Sequence, residues 1–357
     1  MIAVIGAGVI GLAAGRAIAA TGRDVCVLER AARPGQGAST RNSGVIHAGL
    51  YYPDATLKDE LCREGRERLF AYCAAKDVPH ARCGKLIVAT GAEEEPALDA
   101  LAQHAAAHHV TLEEVSSGVI HAREPHVRAT RGLWSPDTGW LEVECYLRAL
   151  RDDLERAGGV LVVDAPIVAA DRAADRWILR TPHESIDADV VVNAAGLYAD
   201  DVSRLCGGEA FTIYPCRGEY AELAPKARGL VNGLVYPVPH QSGHGLGVHF
   251  TRTLDGAVWI GPTIRYQARK DDYESHRLPL EDFLEPTRRL LPEVTLADLR
   301  LGGSGIRAKL HPASERFADF RIGPDARQPG LIQEAGIDSP GLTASLAIAD
   351  RIRRALP

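Results

Sequence analysis

The stretch Ile2-Ala3-Val4-Ile5-Gly6-Ala7-Gly8-Val9-Ile10-Gly11 decides the fold. Four apolar residues in a row read as a strand covered on both faces. The glycines that follow fit GxGxxG, set where the physics requires them, between a strand and a helix. Gly6 permits the tight turn, Gly8 lets the backbone approach a pyrophosphate, and Gly11 lets helix and strand pack closely. The helix N-terminus adds partial positive charge for a phosphate. The alanine-rich stretch 12–20 reads as that helix, closed by Gly22, and Val25-Cys26-Val27-Leu28 reads as the next strand. Glu29, at the end of that strand, is placed to accept hydrogen bonds from ribose hydroxyls. Strand, helix and parallel strand make a βαβ unit, and the unit implies a dinucleotide site.

The rest of the chain bounds the function class. It has 357 residues, enough for two interleaved domains, with 46% hydrophobic and 25% charged residues as in ordinary globular proteins. A formal charge of −6, from 41 basic and 47 acidic residues, gives no basic stripe for nucleic acid and no polybasic membrane anchor. Seven cysteines, odd in number and without a CxxC pair, read as reduced thiols of a cytosolic protein. There is no apolar run long enough to span a bilayer. The start lacks the basic n-region of a signal peptide, so the fold is expected to begin at residue 1.

Along the chain, 31–53 reads as a loop rich in Gly, Ser, Thr and Asn, and 57–76 as a helix. Strands are expected at 85–90, 160–163, 177–181 and 189–193, and helices at 93–109 and 144–157. From about 211 to 262 the period becomes strand-like, over 212–223, 234–237, 247–251 and 257–261. A helix over 279–291, strands at 300–309 and 331–334 and a last helix over about 340–355 complete the reading. The expected architecture is α/β: a discontinuous Rossmann-like cofactor-binding domain (1–76, 140–210 and 300–357) with an inserted α+β substrate domain (77–139 and 211–299) whose sheet is mainly antiparallel.

GxGxxG does not separate NAD from FAD, but two other segments do. Ser39-Thr40-Arg41-Asn42-Ser43-Gly44 offers hydroxyls, an amide and a guanidinium for a second approach to the pyrophosphate. Gly336-Ile337-Asp338-Ser339-Pro340-Gly341-Leu342-Thr343 opens the final helix, whose N-terminus would stabilise negative charge developing on a reduced flavin. A site that needs both chain ends is typical of FAD lying extended across the domain.

The run from Ser39 through Gly44-Val45-Ile46-His47-Ala48-Gly49-Leu50 to Tyr51-Tyr52 resembles the signature of the L-2-hydroxyglutarate dehydrogenase/oxidase family, within the D-amino-acid-oxidase-like flavoproteins. Similar matches are Leu61-Cys62-Arg63-Glu64-Gly65, Gly84-Lys85-Leu86, Asn193-Ala194-Ala195-Gly196, Arg217-Gly218-Glu219-Tyr220, Gly247-Val248-His249-Phe250-Thr251 and Gly305-Ile306-Arg307. The resemblance covers nearly the whole chain. It implies noncovalent FAD held by Gly6, Gly8, Val9, Ile10, Gly11, Glu29 and Arg30, and by Ser39, Thr40, Arg41, Asn42 and Ser43. It further implies Ile167 against the adenine, together with Ala195, Gly196, Gly305, Gly336, Gly341, Leu342 and Thr343. Relatives usually carry a few residues before the first strand, whereas here the strand starts at once.

Oxidising a 2-hydroxy acid needs a base for the hydroxyl proton, an acceptor for the hydride on C2, and a cation for the carboxylate. Arg307 suits the last task as a bidentate fork, and the resemblance places it over the flavin. Lys309 points to the same face and offers a second cation. His249 and His47 are the candidate bases, with a pKa range suited to the task. Tyr52, Tyr51, Arg217 and Tyr214 are further candidates for lining the substrate pocket. His104 and His108 are four apart on a helix, without a visible third ligand, and His240, His244 and His249 cluster around a glycine loop, so no metal is expected. The substrate is expected to be a small carboxylate, L-2-hydroxyglutarate in particular, and the electron acceptor oxygen or a membrane quinone. An amine or amino-acid oxidase, or a flavin-binding subunit of a larger dehydrogenase, are the alternatives. The expected location is cytoplasmic, with peripheral contact at the inner membrane face left open.

Overall fold

The computed structural model describes residues 1–173, 175–238 and 247–357. Its first sheet has six strands in the order Arg321–Pro324, Leu331–Ala335, Val190–Asn193, Ile2–Ile5, Val25–Leu28, Val160–Val162. All pair in parallel except the edge strand Arg321–Pro324. Every residue of Ile2–Ile5, Val25–Leu28 and Val190–Asn193 is buried, the signature of a sheet covered on both faces. The strand period of two sorts them. Ile2, Val4, Val27 and Val192 pack against the helices Val9–Ala19, Val143–Arg156 and Gly341–Ala355. Ala3, Ile5, Cys26, Leu28 and Val191 pack on the other side against Trp177, Leu179 and Ala188. Those three belong to an antiparallel sheet of three strands, Ala169–Ala173, Arg176–Arg180 and Ser185–Ala188.

The second large sheet has nine strands and is antiparallel apart from the pair Lys85–Ala89 with Leu234–Pro237. Its spine is Tyr214–Leu223, which pairs along its length with Leu299–Lys309. The expected division put 300–309 with the cofactor-binding segments. The strand instead pairs within this second sheet. The first sheet draws its strands from before residue 29, from 160–193 and from 321–335.

Several elements differ from the sequence reading for local reasons. The first helix begins at Val9, not at residue 12, because Gly8 is its N-cap and the glycine turn supplies its first turn. The helix expected over 279–291 spans only Glu281–Arg288, with Pro286 inside it. The short elements Glu113–Ser116, Ser117–Arg123, Gly139–Leu141 and Ala199–Leu205 were not read. They are too brief to show a period, and Glu113–Ser116 carries almost no apolar signal.

The helices Leu57–Ala75 and Gly341–Ala355 cross closely, and Gly65 is what lets them do so. A Cβ there would lie 2.4 Å from the Thr343 carbonyl oxygen and 2.7 Å from the Ala344 Cα. Both obstacles are backbone. Gly65→Ala is therefore expected to lower stability by about 1–3 kcal/mol, read as a reduced midpoint of denaturant unfolding, with flavin content reporting any spread to the helix N-terminus.

Candidate functional site

The dinucleotide end is built from backbone. Gly6 takes φ +106°, and a Cβ there would meet the Ala194 carbonyl oxygen at 2.5 Å. A Cβ on Gly11 would meet the Gly6 oxygen at 1.9 Å, so turn and helix coexist only with glycine at both places. The Glu29 carboxylate accepts from the Ala7 N–H at 2.8 Å and from the Ala31 N–H at 2.9 Å. Its position at the strand end is thus fixed, with lone pairs left over for a hydroxyl donor. Beside it, Arg30 lies over the Tyr198 ring at 3.8 Å. Ile167 packs against the cluster that holds Ala3 and Ile5, and Gly196, following Ala195, takes φ +57°.

Loop 39–43 closes the other side. Ser39 Oγ accepts from the Val9 N–H at 2.9 Å, and Thr40 Oγ1 donates to the Gly35 carbonyl at 2.9 Å. Asn42 donates to the Ser39 carbonyl at 2.6 Å and accepts from the Gly44 N–H at 2.8 Å. Arg41 stacks on Tyr273 at 4.0 Å. The loop therefore ties itself to the helix N-terminus with its own polar side chains.

From this point a cavity of about 450 Å³ opens. Val9, Ile10, Ser39, Arg41, Asn42 and Ser43 form its mouth on the dinucleotide side, and Ile337, Ser339, Gly341 and Leu342 one wall. Gly305, Arg307, Lys309, His249, His47, Tyr51 and Tyr52 face them. A molecule gripped at Gly6–Gly11 must extend its second half into this space, so the residues present fit an extended dinucleotide. Gly336 lies behind that wall at φ +69°, packed on Leu310, and Thr343 Oγ1 accepts from the His47 N–H at 2.9 Å.

The substrate side gathers most of the expected residues and drops two, Tyr214, which is not among the cavity-lining residues, and Arg217. Arg307 crosses the place where a Cβ on Gly218 would stand, 2.9 Å from both Nη atoms, and donates to the Thr263 carbonyl at 3.2 Å. Gly218 faces the cavity, so the strand period turns Arg217 the other way. Arg217 is fully buried there, paired with Glu219 at 2.7 Å and donating to the carbonyls of Asp272, Ser275 and His276. Its guanidinium staples a loop to the sheet, which corrects the expectation that it reads substrate. Lys309 does line the cavity, yet Asp338 Oδ2 lies 3.3 Å from its Nζ. Lys58 Nζ approaches the other Asp338 oxygen at 2.6 Å. Burial works against the Asp338 charge, but the two lysines outweigh it and hold its carboxyl below the usual range. His240 and His244 lie outside the described residues.

His249 donates Nδ1–H to the Gly247 carbonyl at 2.9 Å, because a carbonyl can only accept. That leaves Nε2 as its basic nitrogen. Its ring stacks on Tyr236, with centroids 3.8 Å apart. His47 Nε2 lies 3.3 Å from Ser339 Oγ, and its buried Nδ1 has no hydrogen-bond partner among the described residues. Burial, then the charge of Lys85, brings His47 down to about 3, with His249 adding to the effect. Burial likewise brings His249 to about 3; the Gly247 bond opposes it, while Lys85 and Arg307 reinforce it. Both imidazoles are neutral throughout the physiological range. Burial pushes the Tyr51 and Tyr52 phenols well above their usual range, so neither serves as a base.

Lys85, like Lys58, is a residue that sequence reasoning missed. It opens an apolar strand, which from sequence alone reads as a solvated edge, yet it is 0% exposed. Its Nζ lies 4.5 Å from the Tyr51 ring centre and 4.6 Å from that of Tyr236, and has no hydrogen-bond partner among the described residues. Burial lowers its pKa to about 7, with Cys62 opposing.

A glycine-gripped dinucleotide, a cavity running to the final helix and a cluster of Arg and His against it define an FAD-dependent oxidoreductase. The chain belongs to the FAD dependent oxidoreductase family, whose match covers residues 1–355, and FAD is its cofactor. The mitochondrial L-2-hydroxyglutarate dehydrogenase of Arabidopsis thaliana is 34% identical, over 98% of this chain and 82% of its own length. The L-2-hydroxyglutarate dehydrogenase of Escherichia coli (strain K12) is 28% identical, over 98% of this chain and 91% of its own. Among solved structures, the FAD-bound L-alpha-glycerophosphate oxidase of Mycoplasma pneumoniae superposes with a TM-score of 0.91 at 23% identity, covering 99% of this chain and 94% of that one. Glycine oxidase from Geobacillus kaustophilus follows at 0.84 and 20%, covering 100% of this chain and 95% of that one. These two share the fold.

The charge of Lys85 yields a pH prediction. Lys85 is protonated below about 7, hence across the acid limb of any rate profile set by His47 or His249. Lys85→Met removes a positive charge that lowers both imidazoles, so their pKa values rise. The acid limb of kcat/KM is expected to move to higher pH by about one unit; an unmoved limb would show that neither histidine is the titrating base.

Proposed function

We propose that the protein oxidises the hydroxyl of a small 2-hydroxy acid, L-2-hydroxyglutarate, to the 2-oxo acid. The observation that carries the reading is the meeting of the Arg307 guanidinium and two neutral imidazoles in the cavity that opens at the dinucleotide motif. Relatives aligned over 98% of the chain that bear the name L-2-hydroxyglutarate dehydrogenase support the choice of substrate. FAD, when bound, supplies the acceptor for the hydride from C2.

The chain's own residues do the rest. Arg307 holds the carboxylate next to the reacting carbon as a fork. His249 takes the hydroxyl proton on Nε2, and His47 shapes the cavity beside it or shares that task. A base held as low as about 3 is weak in the free protein. The entering substrate brings two negative charges, which offset Arg307 and Lys85 and raise the proton affinity of the ring. Lys58 and Lys309 share the single carboxylate of Asp338, two positive charges against one negative, so one is left for the distal carboxylate. Tyr52, whose hydroxyl lies 3.4 Å from Ser339 Oγ, closes the side of the cavity. FAD is held without a covalent bond, and oxygen or a membrane quinone reoxidises it. The seven free cysteines suit a reducing compartment such as the cytoplasm.

Anaerobic mixing tests the reading. L-2-hydroxyglutarate is expected to bleach the flavin, while its D enantiomer, glycine, L-proline and glycerol 3-phosphate do not. His249→Ala should slow bleaching by about 10²–10⁴-fold. Bleaching by an amino acid but not by L-2-hydroxyglutarate would replace this reading with the amine one.

A further inference from the structure

A second constellation lies on the outer side of the turn that carries Tyr51 and Tyr52. His104 and His108 stand one helical turn apart at the end of the helix Glu95–Ala107, with His108 as its C-cap. The sequence supplies no third ligand nearby, but the fold brings one from the turn after Pro53. Asp54 Oδ1 lies 2.7 Å from His108 Nε2 and 3.7 Å from His104 Nδ1. Among the described residues, this is the one group of three His, Cys, Asp or Glu side chains whose ligand atoms lie within 4.8 Å of one another.

Two further observations point to a cation. The ligand atoms of a tetrahedral zinc site with nitrogen and oxygen donors stand roughly 3.3 Å apart, and the two distances from Asp54 straddle that spacing. Asp59, a buried carboxylate, places Oδ2 3.2 Å from His108 Nδ1, where a second carboxylate orients a metal-bound imidazole. The His108 ring therefore lies between two carboxylates.

We propose that Asp54, His104 and His108 form a binding site for a zinc-type divalent cation, with water as the fourth ligand. Two imidazoles and one carboxylate suit zinc better than calcium or magnesium, which prefer all-oxygen shells. The bound ion pins the turn 51–54 to the helix Glu95–Ala107. That turn presents Tyr51 and Tyr52 to the cavity, and its next residue, Ala55, takes φ +58°, a conformation an alanine adopts only when held. The ion takes no part in the redox chemistry.

The test uses tag-free, FAD-loaded protein freed of metal by chelation and titrated with zinc chloride. Calorimetry is expected to give about one ion per chain, with a rise of several degrees in Tm at saturation. The zinc X-ray absorption edge should report nitrogen and oxygen neighbours only. Asp54→Ala and His104→Ala are the variants of choice, because these side chains are 77% and 29% exposed and their loss leaves the core intact. Each should retain flavin and weaken zinc binding tenfold or more. No binding at 100-fold excess zinc, binding unchanged in both variants, or sulfur in the first shell from one of the cysteines would each overturn the site.

Discussion

The architecture turns on one close approach between two pieces of backbone. A Cβ at Gly305 would stand 2.0 Å from the Arg41 carbonyl oxygen. The long strand Leu299–Lys309 can therefore lie directly on loop 39–43, which is tied to the first helix through Ser39 and Val9. That contact fastens the antiparallel sheet to the cofactor-gripping sheet. It also fixes where the strand's next cavity-facing residues, Arg307 and Lys309, stand relative to the glycine turn. Gly218 and Gly65 serve the same geometry elsewhere, one leaving room for the Arg307 guanidinium and the other letting two helices meet. Backbone is hard to move, so these positions tolerate side chains poorly.

Around this frame the charges are unevenly placed. Arg307, Lys309 and Lys58 line the cavity with Asp338 as the one carboxylate beside them among the described residues, and Lys85 lies buried behind the Tyr51 and Tyr236 rings. An excess of buried positive charge is costly without a counter-ion. It adds to the effect of burial in lowering the imidazoles and makes an anion the natural occupant. Burial is the larger cause of the low imidazole values, and an anion would offset only the part that comes from Lys85 and Arg307.

The cofactor end was legible because its signal is local. Gly6, Gly8, Gly11 and Glu29 fall within one βαβ unit, and the backbone contacts there follow from the motif. The run of buried apolar strands was equally plain, since period and composition decide it. Strand pairing was less so. Leu299–Lys309 reads as a strand in isolation, but nothing in it says which sheet it joins, and the expected boundary at 300 separated it from its partner Tyr214–Leu223. Arg217 was misread for a similar reason. A strand shows which residues share a face but not which face looks into the site, and one position, Gly218, separates a pocket residue from a buried staple.

The polar residues of the cavity come from His47 on a loop, His249 and Arg307 on two strands of one sheet, and Asp338 beside the last helix, with Lys85 buried behind them on a third strand of that sheet. No spacing rule links them, because each is placed by long-range packing and not by its neighbours in sequence. Lys85 shows the consequence most clearly. A lysine at the head of Leu86-Ile87-Val88 looks solvated, and only the arrival of Tyr51 from one side and Tyr236 from the other encloses it. A scaffold built this way can change its substrate through a few side chains on the antiparallel sheet while the glycine turn keeps its grip on FAD. Hydroxy acids and amines then differ mainly in whether the cavity must supply a base. In this chain the Nδ1–H bond of His249 to the Gly247 carbonyl leaves a basic nitrogen free, and an amine already deprotonated has no use for one.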